Sequence, residues 1–235
     1  QEPGLYILEA PMGMGKTEAA LYAAYQLMQK QQNSGLYFAL PTRLTSNRIH
    51  ERVNAFLKNI VEGTDRARLV HGQAWLQELQ RGGEEFRAGR PWFNPSKRAL
   101  LLPFGVGTVD QALLSVLCAR HHFLRTFGLA GKVVILDEVH SYDIYTGTLL
   151  DELVSQLLNI GCTVIVLSAT LTHKRRALIA QQKNIETTSA YPSITSHIPN
   201  HPPRTIHTEA PPSKEVRLKF IAEDPLDVAR AAIEK

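Results

Sequence analysis

Residues 10–17 read Ala-Pro-Met-Gly-Met-Gly-Lys-Thr, directly after the apolar run Leu5–Leu8 and directly before a segment, 17–32, whose apolar residues recur at three- and four-residue intervals. A glycine-containing turn between a buried strand and a helix presents consecutive backbone amides at the helix N-terminus, where the dipole favours negative charge. Gly13 and Gly15 let the backbone of the loop from Met12 through Met14 to Thr17 approach a polyphosphate closely. Lys16 then reaches the β- and γ-phosphates, and Thr17 offers a hydroxyl to Mg²⁺, a metal that keeps several waters and takes few protein ligands. The strict form of this loop opens with glycine, where this chain has Ala10.

The remainder alternates strands with helices. Segments 5–8, 36–40, 67–70, 99–102, 132–136 and 163–167 are mostly apolar on both faces, as buried parallel strands are. Segments 17–32, 44–60, 109–127 and 146–160 carry helical periodicity, and Gly35 and Gly161 stand where a helix gives way to a strand. The expected fold is α/β, a mainly parallel sheet with helices on both faces. Two stretches interrupt the pattern: 71–98, with Trp75 and Trp92, reads as a surface excursion, and the proline-rich 189–214 as an extended connector. The Gly-Val-Gly at 105–107 carries no signal of its own. One lobe is expected over 1–203, then a linker and the start of a second unit over 204–235, with a strand at 215–221 and a helix opening at Asp224-Pro225.

A second chemical signal, Asp137-Glu138-Val139-His140, closes the 132–136 strand. Ligands bind at the C-terminal edge of a parallel sheet, and two carboxylates behind four apolar residues are costly to bury unless a cation waits there. Asp137 is assigned to the Mg²⁺ shell and Glu138 to orienting or deprotonating the attacking water. Alone, this tetrapeptide could be a strand end turning into solvent; following the phosphate loop, it reads as chemistry. His121 and His122 are adjacent on a helix and diverge, while His197, His201 and His207 fall in the connector, so none makes a metal site. Cys118 and Cys162 lie in apolar stretches, which suits a reducing cytoplasm. There is neither an export segment nor an apolar run of about 18 residues, so no membrane is expected. The net charge of +4 is compatible with a phosphate-bearing partner without identifying one.

In order along the chain, Ala10–Thr17, Pro41-Thr42-Arg43, Gly107-Thr108-Val109-Asp110-Gln111, Asp137–His140 and Ser168-Ala169-Thr170 resemble the motifs of superfamily 2 DExH-box helicases. Their spellings, ALPTRLTSNRI, PFGVGTVDQALL, KVVILDEVHSYD and VIVLSATL, are similar to those of the CRISPR-associated helicase-nucleases of type I systems, over residues 5 to about 200. The resemblance implies the first RecA-like P-loop NTPase lobe of an ATP-dependent, Mg²⁺-requiring DNA motor. It implies that Pro41, Thr42, Arg43, Thr108, Asp110 and Gln111 grip the backbone of single-stranded DNA, and that His140, Ser168 and Thr170 couple that grip to the nucleotide. The partners implied are a second RecA-like lobe carrying an arginine finger, a nuclease domain and a CRISPR RNA-guided surveillance complex. No His-Asp dipeptide occurs, so the nuclease is not recognisable here.

Elementary chemistry supports part of this. A loop with a hydroxyl, a guanidinium and free amides holds phosphates without reading bases, as translocation requires. An RNA helicase, a duplex translocase and a nucleotide-dependent partner-docking module remain open alternatives. A P-loop kinase fits less well, for want of an acceptor site or lid.

Overall fold

The computed structural model describes residues 3–31, 33–60, 67–70, 99–117, 122–181 and 191–209. Strands β1 (Leu5–Glu9), β2 (Leu36–Leu40), β3 (Arg68–Val70), β4 (Phe104–Thr108), β5 (Val133–Leu136), β6 (Thr163–Ser168), β7 (Ser193–His197) and β8 (Arg204–His207) form one sheet in the order β3-β4-β2-β5-β6-β1-β7-β8. From β3 to β1 the pairing is parallel; β7 and β8 extend it antiparallel. The helices are α1 (Lys16–Gln31), α2 (Arg43–Leu57), α3 (Val109–Leu113), α4 (His122–Leu129), α5 (Ile144–Asn159) and α6 (His173–Ile179).

Alternation along the strands explains the two cores. Leu36, Phe38, Leu40, Ile165 and Leu167 pack with Ala20, Ala24 and Leu27 of α1 and Ile49 and Val53 of α2. The intervening residues Tyr37, Ala39, Val134, Leu136, Val164 and Val166 pack with Leu150, Leu153, Val154 and Leu157 of α5. A strand apolar on both faces must be covered on both, and the crossover helices do so. This is the RecA-like lobe expected from the sequence.

Four local expectations are corrected. Residues Ala99–Leu101 form a 3₁₀ turn, and the strand begins at Phe104, running through the glycines at 105 and 107. The cause lies far along the chain: the buried Lys132 ammonium donates to the carbonyls of Leu100 (2.7 Å) and Leu102 (2.5 Å), which satisfies them as a turn rather than as a ladder. Gly35 adds a close approach, since a Cβ there would stand 1.9 Å from the Pro103 carbonyl oxygen. The segment 109–127 is not one helix: α3 ends at Leu113, Ser115 turns its hydroxyl onto the Ala112 carbonyl (2.6 Å), and α4 starts at His122. Helix α6 has no counterpart in the sequence reading. The supposed connector carries the β7–β8 hairpin, because Pro192, Pro199, Pro202 and Pro203 all fall outside its strands, where no ladder donor is needed. The sheet therefore runs past position 203 to His207.

Lys132→Met should destabilise the lobe by about 1–3 kcal/mol through the orphaned carbonyls. Burial lowers the Lys132 pKa from 10.5 to about 8. Between those values the unfolded chain holds the extra proton, so wild-type stability gains a rising component with pH that the variant lacks. Urea midpoints at pH 7 and pH 9.5 check this, and identical pH responses in the two proteins would refute it.

Candidate nucleotide and nucleic-acid site

Every loop singled out from the sequence leaves the C-terminal end of a parallel strand: Ala10–Lys16 after β1, Ser168–Thr170 at the end of β6, Asp137–His140 after β5, Pro41–Arg43 after β2 and Thr108–Gln111 at the end of β4. With the strands ordered β4-β2-β5-β6-β1 and neighbours about 4.8 Å apart, the phosphate loop and the acidic box flank Ser168, while the remaining two loops continue along the same edge.

Gly13 and Gly15 adopt φ of 82° and 76°, the left-handed region that a side chain would strain. The loop folds back on Lys16, whose Nζ donates to the carbonyls of Ala10 (2.6 Å) and Pro11 (3.0 Å). Burial lowers the pKa of this ammonium, against the opposing pull of Asp137 and Glu138. A cleft of about 290 Å³ is lined by Met12, Gly13, Gly15, Lys16 and Thr17 together with Asp137, Glu138, His140, Ser168 and Ala169. Met14 is exposed on the loop.

Asp137 Oδ1 accepts the Glu138 amide (2.8 Å). Burial raises the Asp137 pKa; that amide opposes the rise and the Glu138 charge adds to it. A divalent cation would relieve the penalty, and Thr17 borders the same cleft, so the pair fits Mg²⁺. Among the described residues no group of three or more His, Cys, Asp or Glu could hold a metal. Glu138 has φ 53° and ψ 39°, a left-handed conformation that a non-glycine residue adopts only when its surroundings hold it there. Here the Ser141 amide and hydroxyl both donate to the Glu138 carbonyl at 2.8 Å, leaving its exposed side chain at the cleft.

His140 joins the acidic box to the loop after β6. Its Nδ1 lies 3.2 Å from Ser168 Oγ, and that hydroxyl donates to the Thr170 carbonyl (3.0 Å). The Ala169 amide points at the same Nδ1 (3.5 Å), so this one ring nitrogen meets both Ser168 and Ala169. The acidic box and the Ser168–Thr170 loop are thus in direct contact.

The strand-binding candidates are less uniform. Thr42 caps α2, its hydroxyl accepting the Thr45 amide (3.2 Å), while Arg43 beside it is exposed. Thr108 is buried at 5% exposure and its carbonyl accepts the Tyr37 hydroxyl (3.0 Å), so Asp110, exposed, and Gln111, half-buried, are the open groups of that loop. Among the ion pairs missed in the sequence, two adjoin the site: Glu18–Arg52 at the rim of the cleft, and the buried Glu9–Arg176. The second was detectable, because alternation puts Glu9 on the same inward face as Leu5 and Ile7, where a charge needs a partner. Trp75, Trp92, Cys118, His121 and residues 210–235 lie outside the described residues.

A phosphate loop, an acidic box and the Ser168–Thr170 loop on one edge of a RecA-like sheet define the nucleotide-binding lobe of a helicase. The family model for the DEAD/DEAH box helicase matches residues 5–178, and the chain belongs to that family. It is 47% identical over 192 residues to the CRISPR-associated endonuclease/helicase Cas3 of Thermus thermophilus, covering 75% of this chain and 21% of that protein. The crystal structure of T. fusca Cas3-AMPPNP superposes with a TM-score of 0.78 at 32% identity, over 91% of this chain and 26% of the other. A chain of a CRISPR RNA-guided surveillance complex, pre-nicking, matches with a TM-score of 0.59 at 34% identity, over 83% and 21% of the two chains. The chain thus spans about a fifth of the length of the curated relatives it matches. Among the described residues no helix is long and apolar enough to cross a membrane.

Proposed function

We propose that this lobe is the ATP-driven element of a single-stranded-DNA translocase and helicase acting in CRISPR interference, in the cytoplasm. The observation that carries the reading is the single continuous edge on which the phosphate loop, the acidic box and the His140–Ser168–Thr170 relay meet the loops at Pro41–Arg43 and Thr108–Gln111. Lys16 and the loop amides meet the charge of the transferred phosphoryl group, and Glu138 orients the attacking water. Mg²⁺, held by Thr17 and Asp137, supplies further charge neutralisation when bound. Arg43 contributes the cation and Gln111 a neutral amide toward strand phosphates, with Pro41, Thr42, Thr108 and Asp110 shaping the two loops.

The partners in this reading are a second RecA-like lobe, a nuclease domain and an RNA-guided surveillance complex, supported by likeness to Cas3 and to the surveillance-complex chain. An arginine finger from the second lobe is typically worth about 10³–10⁵ in rate, so this lobe alone should turn over ATP feebly. ATP turnover of the full-length protein with matched single-stranded DNA and RNA tests the assignment. Stimulation by DNA alone supports it. Equal stimulation by RNA, which shares the phosphate backbone, would make it an RNA helicase, and no turnover with either would leave a docking module.

A further inference from the structure

Glu9 and Arg176 are buried, at 2% and 7% exposure, and Arg176 Nη2 lies 2.5 Å from Glu9 Oε2. Burying two charges is unfavourable unless they are paired, and an apolar pair of similar volume often serves stability as well. What the carboxylate achieves here is positional. Glu9 is the last residue of β1, in register with Ser168 of β6 on one side and Ser193 of β7 on the other. Its Oε1 accepts the amide of Leu171 (3.0 Å), the residue directly after Ser168–Thr170. The next residue, Ala10, donates its amide to the Ser168 carbonyl (3.3 Å) and gives its own carbonyl to the Lys16 ammonium (2.6 Å).

One side chain therefore holds the strand that feeds the phosphate loop and the segment that leaves the coupling serine. Arg176 ties that side chain to α6, which starts three residues after Thr170. From the other side, the Tyr191 hydroxyl donates to the Ala169 carbonyl (2.8 Å). The ion contact is close but lacks hydrogen-bond geometry at Oε2, and Arg176 Nε has no hydrogen-bond partner among the described residues.

We propose that the Glu9–Arg176 ion pair is a positioning element that transmits movement of the phosphate loop to Ser168–Thr170, and so sets how strongly a bound strand and bound nucleotide respond to each other. The inference rests on the motor reading above. Neither side chain lines the nucleotide cleft, so both act through the residues they hold.

The test uses the full-length protein with Glu9→Gln, which keeps an acceptor for the Leu171 amide, and with Glu9→Gln combined with Arg176→Gln, which leaves no unpaired buried charge. Mg-ATP affinity, basal turnover, turnover with saturating single-stranded DNA and the thermal midpoint are measured for each. Coupling between sites is ordinarily about 5- to 150-fold, so we expect DNA stimulation to fall about tenfold while affinity and basal turnover stay within about threefold. Arg176→Lys, which keeps the charge, should retain part of the stimulation. Stimulation within about twofold of wild type in both Gln variants overturns the inference. So does a loss of stimulation that merely follows a loss of nucleotide binding and thermal stability, since that assigns the pair to folding alone. A wild-type protein that DNA does not stimulate fails the motor reading itself, and the wild-type measurement alone reveals it.

Discussion

Glu138→Gln should lower ATP turnover of the full-length protein by about 10²–10⁴-fold while leaving Mg-ATP affinity within a few-fold of wild type. Glutamine keeps the length of the side chain, so whatever holds the left-handed backbone at this position is undisturbed. Those restraints act on main-chain groups of Glu138 and not on its side chain: the Glu138 amide donates to Asp137 Oδ1, and Ser141 donates twice to the Glu138 carbonyl. What disappears is the ability to take a proton from water or orient it by charge. The carboxylate also contributes to the field that favours the Lys16 ammonium, which is a binding effect, but Asp137 acts in the same direction and remains. The separation of turnover from binding is therefore the diagnostic. Steady-state kinetics paired with equilibrium nucleotide binding measure it. A turnover loss below tenfold, or one matched by an equal loss of affinity, would remove Glu138 from the chemical step.

The elements that were legible share a physical trait: their signal is local. The phosphate loop needs two glycines at left-handed positions, a lysine and a helix start within eight residues, and nothing distant alters that requirement. Strands β2 and β5, and β6 between Thr163 and Ser168, are apolar on both faces, so their burial is written in the run itself. The errors fall where a distant partner decides. Ala99–Leu102 has the composition of a strand, yet Lys132, some thirty positions later, claims two of its carbonyls. Ser193–His207 has the proline content of a linker, yet the strands fit between the prolines and the free edge of β1 is there to receive them.

The site divides along the same line. Residue type and order identified Lys16, Asp137, Glu138 and His140, and the fold brings all four to one cleft. Thr42 and Thr108 show the limit of motif spelling, because one hydroxyl is occupied as a helix cap and the other side chain is buried. Only coordinates separate a threonine that faces a ligand from one that finishes a turn. Glu9 lies between these cases: its inward register was readable, but its partner Arg176 stands on a helix that periodicity did not reveal.

Nucleotide affinity should fall about 100-fold or more in Lys16→Ala, since net hydrogen bonds to charged groups are worth about 1.5–3 kcal/mol each and this ammonium is placed to reach two phosphates. The ammonium already sits in the loop, held by the Ala10 and Pro11 carbonyls, so little side-chain ordering remains when a phosphate arrives. Burial lowers its pKa, which favours exchange of carbonyl contacts for a phosphate that stabilises the charge more strongly. Lys16→Arg should not rescue binding: the guanidinium keeps the charge, but its planar fork does not replace a compact ammonium in a narrow glycine loop. The nucleotide-dependent rise in thermal midpoint gives the readout. Ligand at 100 times Kd stabilises by about 2.7 kcal/mol, and a 100-fold weaker site leaves about 0.4 kcal/mol at the same concentration, so the rise should nearly vanish. A rise of wild-type size in the alanine variant would mean that the loop amides alone bind the polyphosphate and that Lys16 acts later, on the transition state.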